Sequence, residues 1–147
     1  MMVWLLVAQC LATWYMVGLI WMVQLVHYPL MARVGADRFV EYERLHVGLM
    51  GLVVVPAMLT ELVTAACCAV MFGSRFGGLY WWGLGLVVLI WASTFLIQVP
   101  LHDQLSAAFD SDAHRRLVLS NWIRTLAWTA RGGIVAWGLS RLVSTAA

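Results

Sequence analysis

The sequence has no lysine: all nine basic residues are arginine. That excludes chemistry built on a lysine Schiff base or a lysine general base. Charge of any sign is scarce, at 11% of residues, and the net charge of +2 has no basic tract behind it. A nucleic-acid partner is excluded on that ground. Only three cysteines occur, and the adjacent pair Cys67 and Cys68 lies in an alanine-rich apolar run. These read as small packing residues and not as a disulfide framework or a redox motif. No G-x-S-x-G, phosphate-binding loop or Rossmann glycine pattern is present, so hydrolase and nucleotide-binding readings find no support.

What the chain has is hydrophobicity, at 63% of 147 residues. That exceeds what a wetted globular surface tolerates. Four apolar runs, at about 3–28, 40–72, 79–102 and 115–140, each reach the roughly 20 residues that cross a hydrocarbon core. Backbone groups in lipid must bond internally, so each run is predicted as a helix. The fold class expected is all-α: a single-domain integral membrane four-helix bundle with both termini on the same side. The first run lacks a basic leader and continues past a signal-peptide core, so it reads as a retained helix. Pro56 is expected to kink the second run.

Arg33, Arg38, Arg44, Arg115 and Arg116 lie at the end opposite the termini, whose own side has Arg75 and Arg141. The positive-inside rule then puts the 29–39 and 103–114 connections in the cytoplasm, with the termini periplasmic in a bacterial inner membrane. Trp4, Tyr80, Trp81, Trp82 and Trp137 are expected as an aromatic belt at the far interface.

Alternating helix direction brings all four histidines to one end. His27 closes the first run, Glu43 and His46 open the second, His102 closes the third and His114 precedes the fourth. At helical steps, Gln9, Thr13, Met16, Gln24 and His27 share a face, as do Glu43, His46, Met50 and Glu61. Thr94, Gln98 and His102 share another, and so do His114, Asn121, Arg124, Trp128 and Arg131. Polar groups avoid lipid, so these stripes should line a polar pocket inside the bundle.

Glu43 and His46 form a Glu-x-x-His pair, the spacing used by carboxylate metal sites in helical bundles. With His27 and His102 they make a candidate ligand set for iron, copper or zinc. Gln24, Gln98 and Asp103 are candidates to orient the imidazoles or a bound cofactor. Asn121 and Arg124 are candidates to stabilise negative charge, and Asp103 or Glu43 to move a proton. His114 is expected among lipid headgroups beside Arg115, and Asp37 and Glu41 in solvent. Asp110 or Asp112 should cap the fourth helix. Glu61 and Arg131 sit about 22 Å deep by helical rise, at matching depth, and are predicted to form a buried ion pair.

The segments Gln98-Val99-Pro100-Leu101-His102 and Asn121-Trp122-Ile123-Arg124-Thr125 resemble the anthrone-oxygenase-like family of small four-helix membrane proteins. That family carries Asn-Val-Pro-x-Asn in the third helix and Asn-x-x-Arg-Thr in the fourth. The resemblance covers roughly residues 98–131, and Gln98 and His102 depart from its asparagines. It implies oxygenation of a flat, electron-rich aromatic substrate. The function expected is therefore a membrane oxidoreductase or oxygenase, metal-dependent, acting on a lipophilic small molecule that enters from the bilayer.

Two alternatives stand beside it. A haem- or copper-binding electron-transfer or metal-handling protein would use paired histidines, or Met16 and Met50 for copper. An accessory subunit would use its polar groups only to fasten helices, and the glycines of "GLGL" and Gly132-Gly133 would allow contact with another copy of the chain.

Overall fold

The computed structural model describes residues 2–74 and 78–146. Arg75, counted above with the terminal side, lies outside the described residues. Among those residues there are four long helices and no strand. Helix α1 runs through Met2–Met22, a wide π-helical turn Val23–His27 and Tyr28–Met31. Helix α2 is Ala36–Phe72. Helix α3 joins Leu79–Ser93, a second π-helical turn Thr94–Gln98 and Val99–Ala107. Helix α4 is Ser111–Ala146. The helices therefore run longer than the expected spans, because the polar "connections" at 29–31, 36–39 and 103–107 are themselves helical.

Neighbouring helices are antiparallel. Glu61 of α2 meets Thr13 of α1, while Tyr42 near the start of α2 meets His27 near the end of α1. The same inversion relates α3 to α4, through Gln98 with Ser120 and Gly83 with Arg131.

Polar side chains turn inward among apolar ones, while large apolar side chains cover the outside. Leu52, Val70, Trp82 and Leu96 are 75%, 75%, 75% and 76% exposed, while Gln9, Thr13, Glu43, Asn121 and Thr125 are at most 1% exposed. In water that arrangement would be costly, and in lipid it is the favourable one. The helices Val3–Met31, Ala36–Phe72 and Leu79–Ala107 are long and apolar enough to cross a membrane. Helix α4 is one residue shorter than α2, yet Asp112, Arg115, Arg116, Arg124 and Arg131 lower its hydropathy.

The two π turns share a cause. Each lies just before a proline, in "LVHYPL" (25–30) and "LIQVPL" (96–101), a short internal repeat. A proline ring clashes with the carbonyl four residues back and offers no N–H. Widening the turn relieves this: the N–H of Tyr28 bonds to the carbonyl of Val23, and that of Val99 to Thr94, each five residues back. The extra residue changes which side chains face the core beyond it.

The ends are capped locally. Asp110 is the cap of α4: its Oδ1 accepts from the N–H of Asp112 at 2.8 Å and of Ala113 at 3.2 Å. Gly78 precedes α3 with φ of 80°, a conformation that glycine adopts without strain. Helix α2 continues through Pro56, whose carbonyl accepts from the Thr60 hydroxyl at 2.9 Å. In the expected aromatic belt, Trp4, Trp81, Trp82 and Trp137 are exposed, but Tyr80 is buried against Phe72.

Candidate functional site

Between the four helices lies a cavity of about 310 Å³. Its walls are apolar, with Met16, Ile20, Met58 and Trp128 among its buried lining. Its polar end is formed by Tyr28, His46, Thr94, His102 and Arg124, one or two from each helix.

A directional chain of hydrogen bonds crosses that end. Arg124 Nη2 donates to the Tyr28 hydroxyl at 3.4 Å. The Tyr28 oxygen is 3.3 Å from His102 Nε2, and His102 Nδ1 is 2.5 Å from Glu43 Oε1. A carboxylate only accepts, so His102 Nδ1 donates to Glu43, and in the neutral imidazole Nε2 is then the acceptor for Tyr28. Every donor then points the same way, from the guanidinium to the carboxylate. Glu43 is fully buried, and its second oxygen has no partner among the described residues.

Arg124 is 8% exposed and, among the described residues, pairs with no carboxylate. Asn121 holds it: Oδ1 accepts from Nε at 2.9 Å and from Nη2 at 2.6 Å. Asn121 in turn donates to Gln24 Oε1 at 2.8 Å, and Gln24 donates to the Val118 carbonyl at 3.2 Å. By contrast, the bonds from Arg124 to Tyr28 and to Thr94 are long, both 3.4 Å. The guanidinium is fixed from behind and weakly engaged in front, where the cavity lies.

Several expectations need correction. His27, Glu43, His46 and His102 do gather, with ring centroids 4.3 Å apart for His27–His46 and 5.5 Å for His46–His102. They do not fit a shared metal. The His27 and His46 rings are stacked at 22°, which sets their in-plane lone pairs side by side instead of converging. His27 Nε2 faces the Tyr42 hydroxyl at 3.5 Å, and both His102 nitrogens have partners. No group of three or more His, Cys, Asp or Glu among the described residues could hold a metal ion.

Asp103 is exposed and is absent from the cavity wall, so it is neither a proton carrier nor an orienting group there. One residue along a helix is a rotation of about 100°, which separates it from His102. Gln24 and Gln98 are buried and engaged with protein. Gln98 accepts from Ser93 at 3.0 Å and donates to Ser120 at 3.1 Å. Both tie their own helix to α4, Gln24 through Asn121 and Val118 and Gln98 through Ser120. Asn121 acts by positioning Arg124 and does not itself line the cavity. His114 is buried, not among headgroups: its Nε2 lies 3.0 Å from the Tyr28 carbonyl, near the end of α1 where helical carbonyls lack partners.

Glu61 and Arg131 form the buried ion pair, Oε1 to Nε at 2.8 Å. They anchor a second polar layer below the cavity. Trp128 Nε1 donates to Glu61 Oε2 at 2.7 Å, Thr13 donates to Oε1 at 3.0 Å, and Arg131 Nη1 reaches the Gly83 carbonyl at 2.5 Å. Trp128 thus forms the cavity floor, held in place from beneath.

Tyr28 is the site residue that helical periodicity misses. On an uninterrupted helix it sits about 100° away from His27, off the polar stripe. The signal that could have found it is the proline two residues after His27, paralleled by that two residues after Gln98. Compared with models of known families, with curated proteins and with solved structures, the chain finds no match.

Proposed function

We propose that the protein is a membrane oxidoreductase of the oxygenase type. It takes a proton from a lipophilic, weakly acidic small molecule and exposes the resulting anion to dioxygen. The observation that carries this reading is the Arg124–Tyr28–His102–Glu43 chain at the polar end of an otherwise apolar cavity.

The electrostatics favour the deprotonated state. With a neutral ligand, the charges of Arg124 and Glu43 stand apart, separated by neutral Tyr28 and His102. When a ligand C–H or O–H gives its proton to His102 Nε2, directly or through Tyr28, two close pairs form. The imidazolium faces Glu43, and the ligand oxyanion faces Arg124. A preorganised donor aimed at developing charge in a water-poor site is the strongest device available to such a catalyst. For a methylene beside a carbonyl, CH2 + O2 → C=O + H2O balances: carbon is oxidised, and one oxygen atom leaves as water. The resemblance in 98–131 supports a flat aromatic ketone as substrate. The His27 and His46 imidazoles stack and do not converge on a shared point, and the proton path runs through His102 and Tyr28 alone.

We read α4 as a fourth span beside the three apolar helices. Arg33, Arg38, Arg44, Arg115 and Arg116 favour a cytoplasmic histidine end, as in a bacterial inner membrane. The test of function uses purified protein in lipid nanodiscs with anthrone as probe. Dioxygen uptake and anthraquinone formation should exceed the protein-free rate and be lost in Arg124→Gln and His102→Ala. Equal rates with and without protein would remove the oxygenase reading. Lost stability in these variants together with no turnover by the wild type would favour an accessory role, in which the polar layers only fasten helices.

A further inference from the structure

We propose that the cavity is loaded sideways from the bilayer, through a slot between α2 and α3 beside Gly51, by a lipophile bearing one oxyanion or acidic oxygen. The inference rests on the membrane reading above, but not on turnover.

The cavity wall is uneven. On the α1 and α4 side it is closed, with Met16, Ile20 and Trp128 at 1%, 4% and 0% exposure. On the α2 and α3 side, Val47, Val55, Phe95 and Val99 line the same cavity yet are 41%, 49%, 57% and 40% exposed. Residues that are at once inner lining and outer surface mark a break in the wall. All four are apolar, so the break faces lipid tails and not water.

Gly51 lies at this break and also lines the cavity. A Cβ added there meets nothing within 4 Å. The missing side chain is therefore open space, and no tight helix contact requires the glycine. Gly48, one turn earlier on α2, is equally open but does not line the cavity.

Charge sets the ligand's polar end. Arg124 is buried, faces the cavity and has no carboxylate partner among the described residues. An oxygen anion supplies what the protein does not. Burial of the remaining body against Met58, Trp91 and Phe95 follows from their apolar surface. A fatty carboxylate and a lipophilic phenol share this chemistry.

The test is photolabelling in nanodiscs with three diazirine-bearing probes: palmitic acid, an alkylphenol and a fatty alcohol. Mass spectrometry maps the labelled residues. We expect wild-type protein to be labelled on the cavity walls by the acid, the phenol or both, which identifies the source. Gly51→Phe should lower cavity labelling at least tenfold for every probe, while Gly48→Phe leaves it unchanged; equal melting temperatures confirm that both variants fold. Arg124→Gln should lower labelling by the acidic probes and leave the alcohol unaffected. Cavity labelling in Gly51→Phe equal to wild type overturns the slot, and acid labelling indifferent to Arg124→Gln overturns the ligand class. Labelling without anthrone turnover would refute the enzyme reading alone, and turnover with unchanged Gly51→Phe labelling would refute this one alone.

Discussion

Glu43 and Arg124 stand at the two ends of one hydrogen-bonded chain, with Tyr28 and His102 between them. Neither touches the other. Arg124 is held by the uncharged Asn121, Tyr28 and Thr94, so a ligand's oxyanion would supply the opposite charge it lacks nearby.

Replacing Arg124 with Gln should lower kcat/KM by about 10²–10³, the range found on deleting an oxyanion donor. Arg124→Lys should recover only part of this. An ammonium cannot bond Asn121 Oδ1 through two nitrogens at once, as Nε and Nη2 do at 2.9 and 2.6 Å. Steady-state kinetics on anthrone would show it, and full activity in Arg124→Gln would remove the guanidinium from the mechanism.

The histidines should be unequal. His102→Ala removes the proposed base and should cost about 10²–10⁴ in rate. His46→Ala and His27→Ala remove a stacked pair outside the chain and should cost less than tenfold by the same scale. A shared metal would instead make all three losses similar, so single-variant rates beside elemental analysis separate the two cases.

Glu61→Gln or Arg131→Met should destabilise the bundle by about 3–5 kcal/mol, since each leaves a buried charge unpaired. The double variant should recover much of that loss. Thermal unfolding in one detergent gives the comparison. Additive losses in the double variant would show that the two residues are not coupled.

Pro29→Ala and Pro100→Ala remove the clash that widens each turn. We expect helix content by circular dichroism to hold while turnover falls tenfold to a hundredfold, the order expected for displacement of reacting groups by about 1 Å. Unchanged rates would mean that the π turns persist without proline.

Much of the architecture was written in composition and period. Four apolar runs, alternating direction and inward polar stripes follow from the cost of placing backbone and side-chain polar groups in lipid, a cost local to each residue. Glu61 and Arg131 were readable for the same reason, because rise per residue fixes depth. Asp103 was misread because one residue beyond His102 is about 100° round the helix, and Tyr28 was missed because a stripe drawn on an ideal helix ignores the extra residue at the first π turn.

The sequence alone determined that the polar stripes turn inward and at which end the histidines gather. Only the tertiary structure decided what they do there. Whether imidazoles stack or converge, whether Gln24 and Gln98 meet a ligand or the fourth helix, and whether Arg124 finds a carboxylate depend on ångström distances between helices. Those distances are set by packing across the whole bundle, which no single helix's periodicity encodes.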